Sequence, residues 1–473
     1  MMRSILLVVA SAVALPPSAP AQTPPTLRLD YFHTGSAEEE CFALDAVVVE
    51  GPWAGNPDRP LDDTNLGKYR FEVVDRTTQR PLYSRGFASI YGEWETTEEA
   101  RRVHRTFHES LRFPEPAQAV QVVLKKRGAD GLFRESWTVA VDPEDPLVDR
   151  TGPPPDDNVW AVRESGPPPM RVDIVLLGDG YTEAEMDKWH RDARRMADLL
   201  FDLSPFKERQ ADFNVWAVDT PSQRSGVARP SDDVHRRSAL RLTYDAFGSE
   251  RYVLGFDNRR IREAAAAVPY EAMIIVVNGR KYGGGGIFNL YATTASDNAF
   301  TPYVLVHEFG HHFAGLADEY YTSDVAYEET PDRPEPWEPN ATASGTSPKW
   351  KDMVTPGVPL PTPWPKDAFE KAQEEIQARR RTIREEDRPE EEMEALFREE
   401  QERMSTLLAE GEYAGAVGAF EGAMYVSRGY YRPQANCMMF TRHMGFCAVC
   451  RRALERVIDL YSRPAPEPGP SSP

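Results

Sequence analysis

Cysteine is scarce in this chain: four in 473 residues, at Cys41, Cys437, Cys447 and Cys450. That excludes a small disulfide-dense scaffold, which needs several staples to fold. Positive charge is also in deficit. Lys and Arg number 55 against 75 Asp and Glu, a net charge of -20, so neither nucleic acid nor an anionic membrane is an expected partner. Beyond the first residues no run is apolar and long enough to span a bilayer. No internal repeat is visible. The four consecutive glycines Gly283 to Gly286 are followed by no Gly-Lys-Ser/Thr and no helix start, which argues against a phosphate loop. What is present is enough apolar side chain, 41% of residues, for a substantial core in two to four domains.

The opening stretch "MMRSILLVVASAVALPPSAPAQ" has Arg3, then an apolar run to Leu15, and closes on Ala19-Pro20-Ala21. A basic start, a short apolar run and a small-x-small end read as a signal peptide over 1–21, with an uncleaved anchor as the alternative. The mature chain is then expected from about Gln22, exported to the periplasm or beyond. An exported chain can oxidise its thiols, so one or two disulfides or free structural thiols are expected. Their pairing is open. Cys447-Ala-Val-Cys450 could also nucleate a zinc knuckle, but no second pair stands at suitable spacing.

The expected fold is mixed, α+β with an α/β part. From Leu27 to Asp142, segments such as "LRLDYFH", "YRFEVVD" and "AVQVVLKK" alternate apolar and polar residues. They predict short half-buried strands and an antiparallel β-sandwich-like domain over 22–145. No His, Cys or acid cluster at ligand spacing appears there, so an accessory role is expected. A Pro- and Asp-rich run, Asp142 to Asp157, marks a linker assigned to 146–165. The second domain, 166–462, alternates buried-type strands ("RVDIVLLGDGY", "EAMIIVVN") with helices, the first opened by a capping box at Thr182 and Glu185. The glycine run is expected to lead flexibly into an exposed strand, Ile287 to Thr293, able to take up an extended peptide, with a plain loop as the alternative. Residues 366–410 carry 15 acidic and 9 basic side chains, with Ile376, Ile383, Met393, Leu396, Phe397, Met404 and Leu407 irregularly spaced. They read as a solvated insertion of two helices broken at Pro389, with a lid over a cleft as the alternative. The tail, 463–473, is Pro-rich and expected to be disordered.

The chemistry concentrates in "VLVHEFGHHFAGLADEYY", Val304 to Tyr321. Thr301-Pro302 suits a helix start, with the Thr301 hydroxyl as cap. Within that helix His307 and His311, four apart, share a face, and Glu308 lies about 100° round from His307. Two imidazoles at that spacing grip zinc, and the glutamate takes a proton from a water on the metal and passes it to the leaving amine. A helix this apolar would not carry an unpartnered Glu308 cheaply. His312 points about 100° away from the ligand face and reads as a supporting or structural residue. Two histidines leave one zinc ion short of a ligand. Gly315 can end the helix, and Asp318, three residues on, can return to the metal. Glu319 and the remote Glu421 are the other candidates. In the metzincin pattern the glycine comes one residue earlier and a histidine stands where Asp318 does.

"HEFGHHFAGLADEYY", with "LLGDGYT" before it and "GAFEGAMYVSRGYYRP" and "NCMMF…FCAVC" after it, resembles the bacterial IgA-peptidase family of secreted zinc metalloendopeptidases. The likeness runs from about Leu27 to Ile458, the β-rich N-terminal part included. It implies a metzincin-like zincin domain with a twisted sheet and an active-site helix. It also implies one catalytic Zn2+ at His307 and His311, Glu308 as the catalytic residue, and a methionine turn in which Met439 rather than Met438 lies beneath the metal. Of Tyr320, Tyr321, Tyr425, Tyr430 and Tyr431, Tyr430 or Tyr431 is favoured as a hydrogen-bond donor to the developing oxyanion, with surface or core packing as the alternative for each. The expected activity is hydrolysis of peptide bonds in protein or glycoprotein substrates. A non-catalytic adhesin with a decayed peptidase domain and a zinc amidase acting on cell-wall peptides are the alternatives. The oligomeric state is open.

Overall fold

The structure, a computed structural model, describes residues 23–153, 156–322 and 334–462. Residues 1–21, read above as a signal peptide, and the tail 463–473 lie outside the described residues.

The N-terminal part holds seven of the described strands: β1 (Pro25–Gly35), β2 (Glu40–Pro52), β3 (Tyr69–Asp75), β4 (Pro81–Phe87), β5 (Arg105–Pro114), β6 (Val120–Arg127) and β7 (Phe133–Val141). They form two antiparallel sheets, ordered β2-β1-β5 and β4-β3-β6-β7. Period-two alternation builds the core they share: Leu27, Leu29 and Tyr31 of one sheet meet Phe71, Val73, Val122 and Leu124 of the other. A short helix α1 (Ile90–Trp94) follows β4, and its Tyr91 and Trp94, with Phe107 of β5, join the core of the rest of the molecule. The Ala88 N–H donates to the Phe288 carbonyl at 2.9 Å, and Asn289 Nδ2 donates to the Gly86 carbonyl at 3.1 Å. These bonds seat the N-terminal part against the six-stranded sheet of the second part.

That sheet is assembled from β8 (Val159–Arg163), β9 (Val172–Asp179), β10 (Phe213–Val218), β13 (Ala272–Val277), β14 (Gly284–Ile287) and β15 (Tyr291–Ala295). Its order is β14-β15-β13-β9-β10-β8, parallel at the centre and antiparallel at both edges. Between β10 and β13 lie a two-stranded ribbon, β11 (Leu242–Thr243) with β12 (Leu254–Gly255), and helix α3 (Asn258–Ala265). Every residue of β9 and β13 is buried, as a parallel sheet covered on both faces requires. Helix α2 (Met186–Phe201) opens after a capping box in which Thr182 and Glu185 satisfy each other's backbone N–H groups. Helix α4 (Thr301–Ala314) packs across β14 and β15. The chain is thus a mixed α and β protein with several antiparallel sheets.

The glycine run corrects the sequence expectation. It is itself the edge strand β14, and β15 is internal to it. A Cβ on Gly286 would lie 2.2 Å from the Glu308 carbonyl oxygen, and one on Gly284 would lie 2.6 Å from Val304 Cγ1. Helix α4 therefore approaches the strand backbone to backbone, which only glycine permits.

The charged stretch forms helices α5 (Lys366–Glu385) and α6 (Glu390–Ala409), with Pro389 capping the second. It is less solvated than its composition implies. Split at Pro389, its apolar residues fall on inward faces: Phe369, Ile376, Met393, Leu396, Phe397 and Met404 are buried. The Phe397 ring meets Tyr282 and Phe300, and Arg442 lies 3.6 Å over it. Hairpin β16 (Phe420–Ala423) and β17 (Val426–Arg432) follows, and helix α7 (Ala448–Tyr461) closes the described chain.

Candidate metal centre and cleft

Helix α4 brings His307, Glu308 and His311 into a cleft of about 830 Å³. Pro302 sits in its first turn, where a missing N–H costs nothing. Thr301 does not cap the helix. Its hydroxyl donates to the Ala295 carbonyl at 2.8 Å, pinning the helix start to the end of β15. At the other end Gly315 takes left-handed backbone, φ +58°, and its N–H donates to the His311 carbonyl at 3.0 Å. The chain reverses there and returns to the histidines at Asp318.

His307 Nε2, His311 Nε2 and Asp318 Oδ1 form a nearly equilateral triangle with sides of 3.2, 3.1 and 3.2 Å. Three ligand atoms bound at about 2.0–2.1 Å to one tetrahedral ion stand about 3.3 Å apart, so the donor set fits such an ion. The far nitrogen of each ring is engaged: His307 Nδ1 donates to the Met438 carbonyl at 3.1 Å and His311 Nδ1 to the Leu316 carbonyl. Those bonds fix the tautomer and turn both Nε2 lone pairs inward. Asp318 Oδ1 is buried with no hydrogen-bond donor aimed at it. Burial opposes a charged His311, but the Asp318 carboxylate outweighs it and lifts the imidazole to about 9. Asp318 is in turn held well below the usual carboxylate range against the opposition of burial, chiefly by His311. Two ring nitrogens and a buried carboxylate oxygen converging on one point describe a place for a cation.

Glu308 is half-buried on the cleft wall. Burial pushes its carboxyl up, and the two histidines oppose that. The other two acids do not meet the histidines. Glu319 turns away into a cluster with Cys437, Cys447 and Cys450, and Glu421 takes Lys366 Nζ at 3.1 Å and the Gly429 N–H at 3.2 Å. His312 is a structural residue: its Nε2 accepts from the Met273 N–H at 3.0 Å, and its Nδ1 donates to the Ile287 carbonyl. Met438 and Met439 are both fully buried. Met439 Sδ lies 3.4 Å from where a Cβ on Gly310 would stand, against the helix between the two histidines.

The two favoured tyrosines do not line the cleft. Tyr430 donates to the Pro334 carbonyl, and Tyr431 pairs its backbone with Thr342. Tyr320 and Tyr425 line the cleft instead. Tyr320 stacks beside His307 and accepts from Arg251 Nη2 at 3.3 Å. Tyr425 donates to Asp318 Oδ2. It stands at the tip of the β16–β17 hairpin, where Met424 and Tyr425 both hold positive φ, +52° and +64°. A two-residue hairpin turn demands that backbone, and Asn-Gly is its usual sequence, so two bulky residues are held there under strain. Arg251 gave no signal in the sequence, because it reaches the cleft from a segment without a motif. Ala37, Lys68, Gly92 and Glu95 also line the cleft, so the N-terminal part builds one of its walls.

No two cysteines are bonded: all four are free, with Cys41 exposed and the other three buried. Among the described residues no helix is long and apolar enough to cross a membrane.

No curated protein matches the chain. A family model described as Peptidase M64 N-terminus matches residues 21–138, and one described as IgA Peptidase M64 matches residues 160–458. The second match alone covers more than half of the sequence and contains every residue of the metal triangle, so the chain belongs to the IgA Peptidase M64 family, a family of metallopeptidases.

Proposed function

We propose that this chain is an exported, metzincin-like zinc endopeptidase acting on protein or glycoprotein substrates. The observation that carries the reading is the His307–His311–Asp318 triangle with Glu308 beside it on the cleft wall. Export rests on the Arg3-to-Ala21 segment of the sequence.

His307, His311 and Asp318 would hold the ion, their Nε2 and Oδ1 atoms supplying three ligands and leaving the fourth position to the cleft. A zinc ion there supplies Lewis-acid polarisation of the scissile carbonyl and a lowered pKa for water. Glu308 takes a proton from the attacking water and returns it to the departing amine. A carboxyl raised by burial suits both halves of that transfer. Tyr320, accepting from Arg251, keeps its own O–H proton to donate to the carbonyl oxygen as negative charge builds there. Tyr425 keeps Asp318 turned inward.

The substrate strand has a docking point at Gly286 of β14, the same edge at Gly284 being closed by residues 251–253. Gly284 gives its N–H to the Arg251 carbonyl and its carbonyl to the Val253 N–H. By the alternation of an antiparallel edge, Gly286 presents its N–H and C=O on the same side, in the cleft. An extended peptide laid there passes over Glu308 and the histidines. This geometry favours cleavage within a chain over removal of terminal residues.

The test is incubation with unfolded polypeptide, mucin-type glycopeptide and cell-wall fragments, with and without chelator, and mass spectrometry of the products. Internal cuts in polypeptide or glycopeptide are expected, abolished by chelator and restored by zinc. Glu308→Gln is expected to lower kcat/KM by about 10²-fold or more, as loss of a general base does. Undiminished cleavage by Glu308→Gln, or active protein that retains no zinc, would overturn the reading. Cuts confined to cell-wall peptides would replace it with the amidase.

A further inference from the structure

Behind Asp318, three of the four cysteines converge on one carboxylate. Cys437 precedes Met438, Cys447 caps the N-terminus of α7, Cys450 stands in its first turn, and Glu319 follows Asp318. All four are buried: Cys437, Cys450 and Glu319 at 0% exposure and Cys447 at 4%. One sulfur from each cysteine and one oxygen of Glu319 all lie within 4.8 Å of one another.

The separations have a chemical meaning. Cys437 Sγ and Cys450 Sγ stand 3.8 Å apart, and Cys450 Sγ stands 3.5 Å from Glu319 Oε1. Around a tetrahedral zinc ion with Zn–S of about 2.3 Å and Zn–O of about 2.0 Å, two sulfurs lie about 3.8 Å apart and a sulfur and an oxygen about 3.5 Å. A disulfide would bring two sulfurs to about 2.05 Å. The backbone favours thiolates here: the Cys447 N–H points at Cys437 Sγ at 3.2 Å and the Cys450 N–H at Cys447 Sγ at 3.4 Å. The N-terminus of the fourteen-residue helix α7 adds its partial positive charge.

Glu319 supplies an independent sign. Its Oε1 accepts from Asn340 Nδ2 at 2.9 Å, but Oε2, in a fully buried residue, has no hydrogen-bond partner. A buried carboxylate oxygen without a donor is expensive unless a cation is near. Arg432, in the same buried neighbourhood, directs its guanidinium N–H groups to the carbonyls of Glu421, Gly422 and Ala435.

We propose that Cys437, Cys447, Cys450 and Glu319 bind a second zinc ion, a structural one. Four protein ligands close the coordination sphere and leave no position for a substrate. The ion joins three pieces of chain that shape the cleft: the return loop at Asp318, the turn at Met438 and Met439, and the start of α7. The Glu319 N–H already donates to the Met439 carbonyl at 2.8 Å along the same seam. Zinc binding also keeps three thiols reduced in an oxidising compartment. The assignment does not depend on the reaction at the cleft.

The experiment uses the wild-type mature chain purified without chelator. Metal analysis is expected to give two zinc ions per chain, one lost on mild dialysis against chelator and one retained. Stepwise titration of the dialysed protein with p-hydroxymercuribenzoate should consume its first equivalent at the exposed Cys41 without zinc release. The next three should release one zinc. Cobalt introduced in place of the retained ion should show a thiolate-to-cobalt charge-transfer band, and His311→Ala should still retain one zinc. Because serine variants at the cysteines can fail to fold, the decisive readings are on the unaltered chain. No retained zinc with the three buried thiols free, or an intact mass lower by two hydrogens from a disulfide, would overturn the proposal.

Discussion

The Tyr425 hydroxyl donates to Asp318 Oδ2, while the other oxygen of that carboxylate faces His307 and His311. The bond sets the rotation of the carboxylate that would complete the metal triangle. Tyr425→Phe is therefore expected to leave the fold intact and to weaken metal binding by about 10–100-fold, the usual effect of losing an outer hydrogen-bond partner. Zinc retention against graded chelator concentrations measures it. A variant that holds zinc as tightly as the wild type would show that Asp318 needs no such support.

Tyr320 and Tyr430 make a matched pair for the oxyanion role. Tyr320→Phe is expected to lower kcat by about 10²-fold with little change in KM, because an oxyanion donor works only in the transition state. Tyr430→Phe, whose hydroxyl serves the Pro334 carbonyl, should change neither. Equal losses in the two variants would remove Tyr320 from the mechanism.

Gly286→Ala tests the contact between strand and helix. The new methyl would meet the Glu308 carbonyl at 2.2 Å and His311 Cβ at 2.8 Å, and the backbone has to shift. A loss of about 1–3 kcal/mol is expected from such overpacking, together with weaker metal binding as His311 moves. Gly279→Ala is the control, since nothing lies within 4 Å of its would-be Cβ. Urea midpoints of the two variants separate a local clash from a general cost of replacing glycine.

The sheet carries a pH-dependent element of its own. Asp173 is fully buried, and burial lifts its carboxyl to about 7 even though Trp216 and Asn214 donate to it. Burial and the neighbouring Asp173 also drive Glu271 well above the ordinary carboxylate range. A raised folded pKa means that the folded state binds more protons than the unfolded one, so this contribution is complete below about pH 3.8 and is lost as pH rises through about 7. Asp173→Asn should therefore gain on the order of 4 kcal/mol at pH 8 and little at pH 4. Urea midpoints at the two pH values measure it, and a gain independent of pH would point to packing alone.

Legibility followed distance along the chain. His307, Glu308, His311, Gly315 and Asp318 could be read because helix period and one turn bring them together within a dozen residues. The capping box at Thr182 and the apolar strands "VDIVLLGD" and "AMIIVV" could be read for the same local reason. Side chains that arrive from elsewhere could not. Tyr425 reaches Asp318 from a hairpin over a hundred residues on, and Arg251 comes from a segment with no pattern. Tyr430 and Tyr431 were attractive for their nearness in sequence to Met438, but strand pairing turns them elsewhere. The glycine run hid a strand because strand recognition relies on side-chain alternation and glycine has no side chain to alternate. Residues 366–410 looked irregular only until Pro389 divides them, after which each half has its own inward face. Glu319 looked like a rival ligand for the catalytic ion, and only the fold shows it facing Cys450.

Asp318 and Glu319 share one peptide bond and look in opposite directions, one to the histidines and the other to the cysteines. The return loop from Gly315 therefore works as a ruler on which each residue has an address. Inserting one residue between Gly315 and Asp318 would take Asp318 from the histidines and turn it to the cysteines, and deleting one would offer Glu319 to the histidines and Tyr320 to the cysteines. A substitution damages one site at a time. A change of length in these few residues would damage both at once.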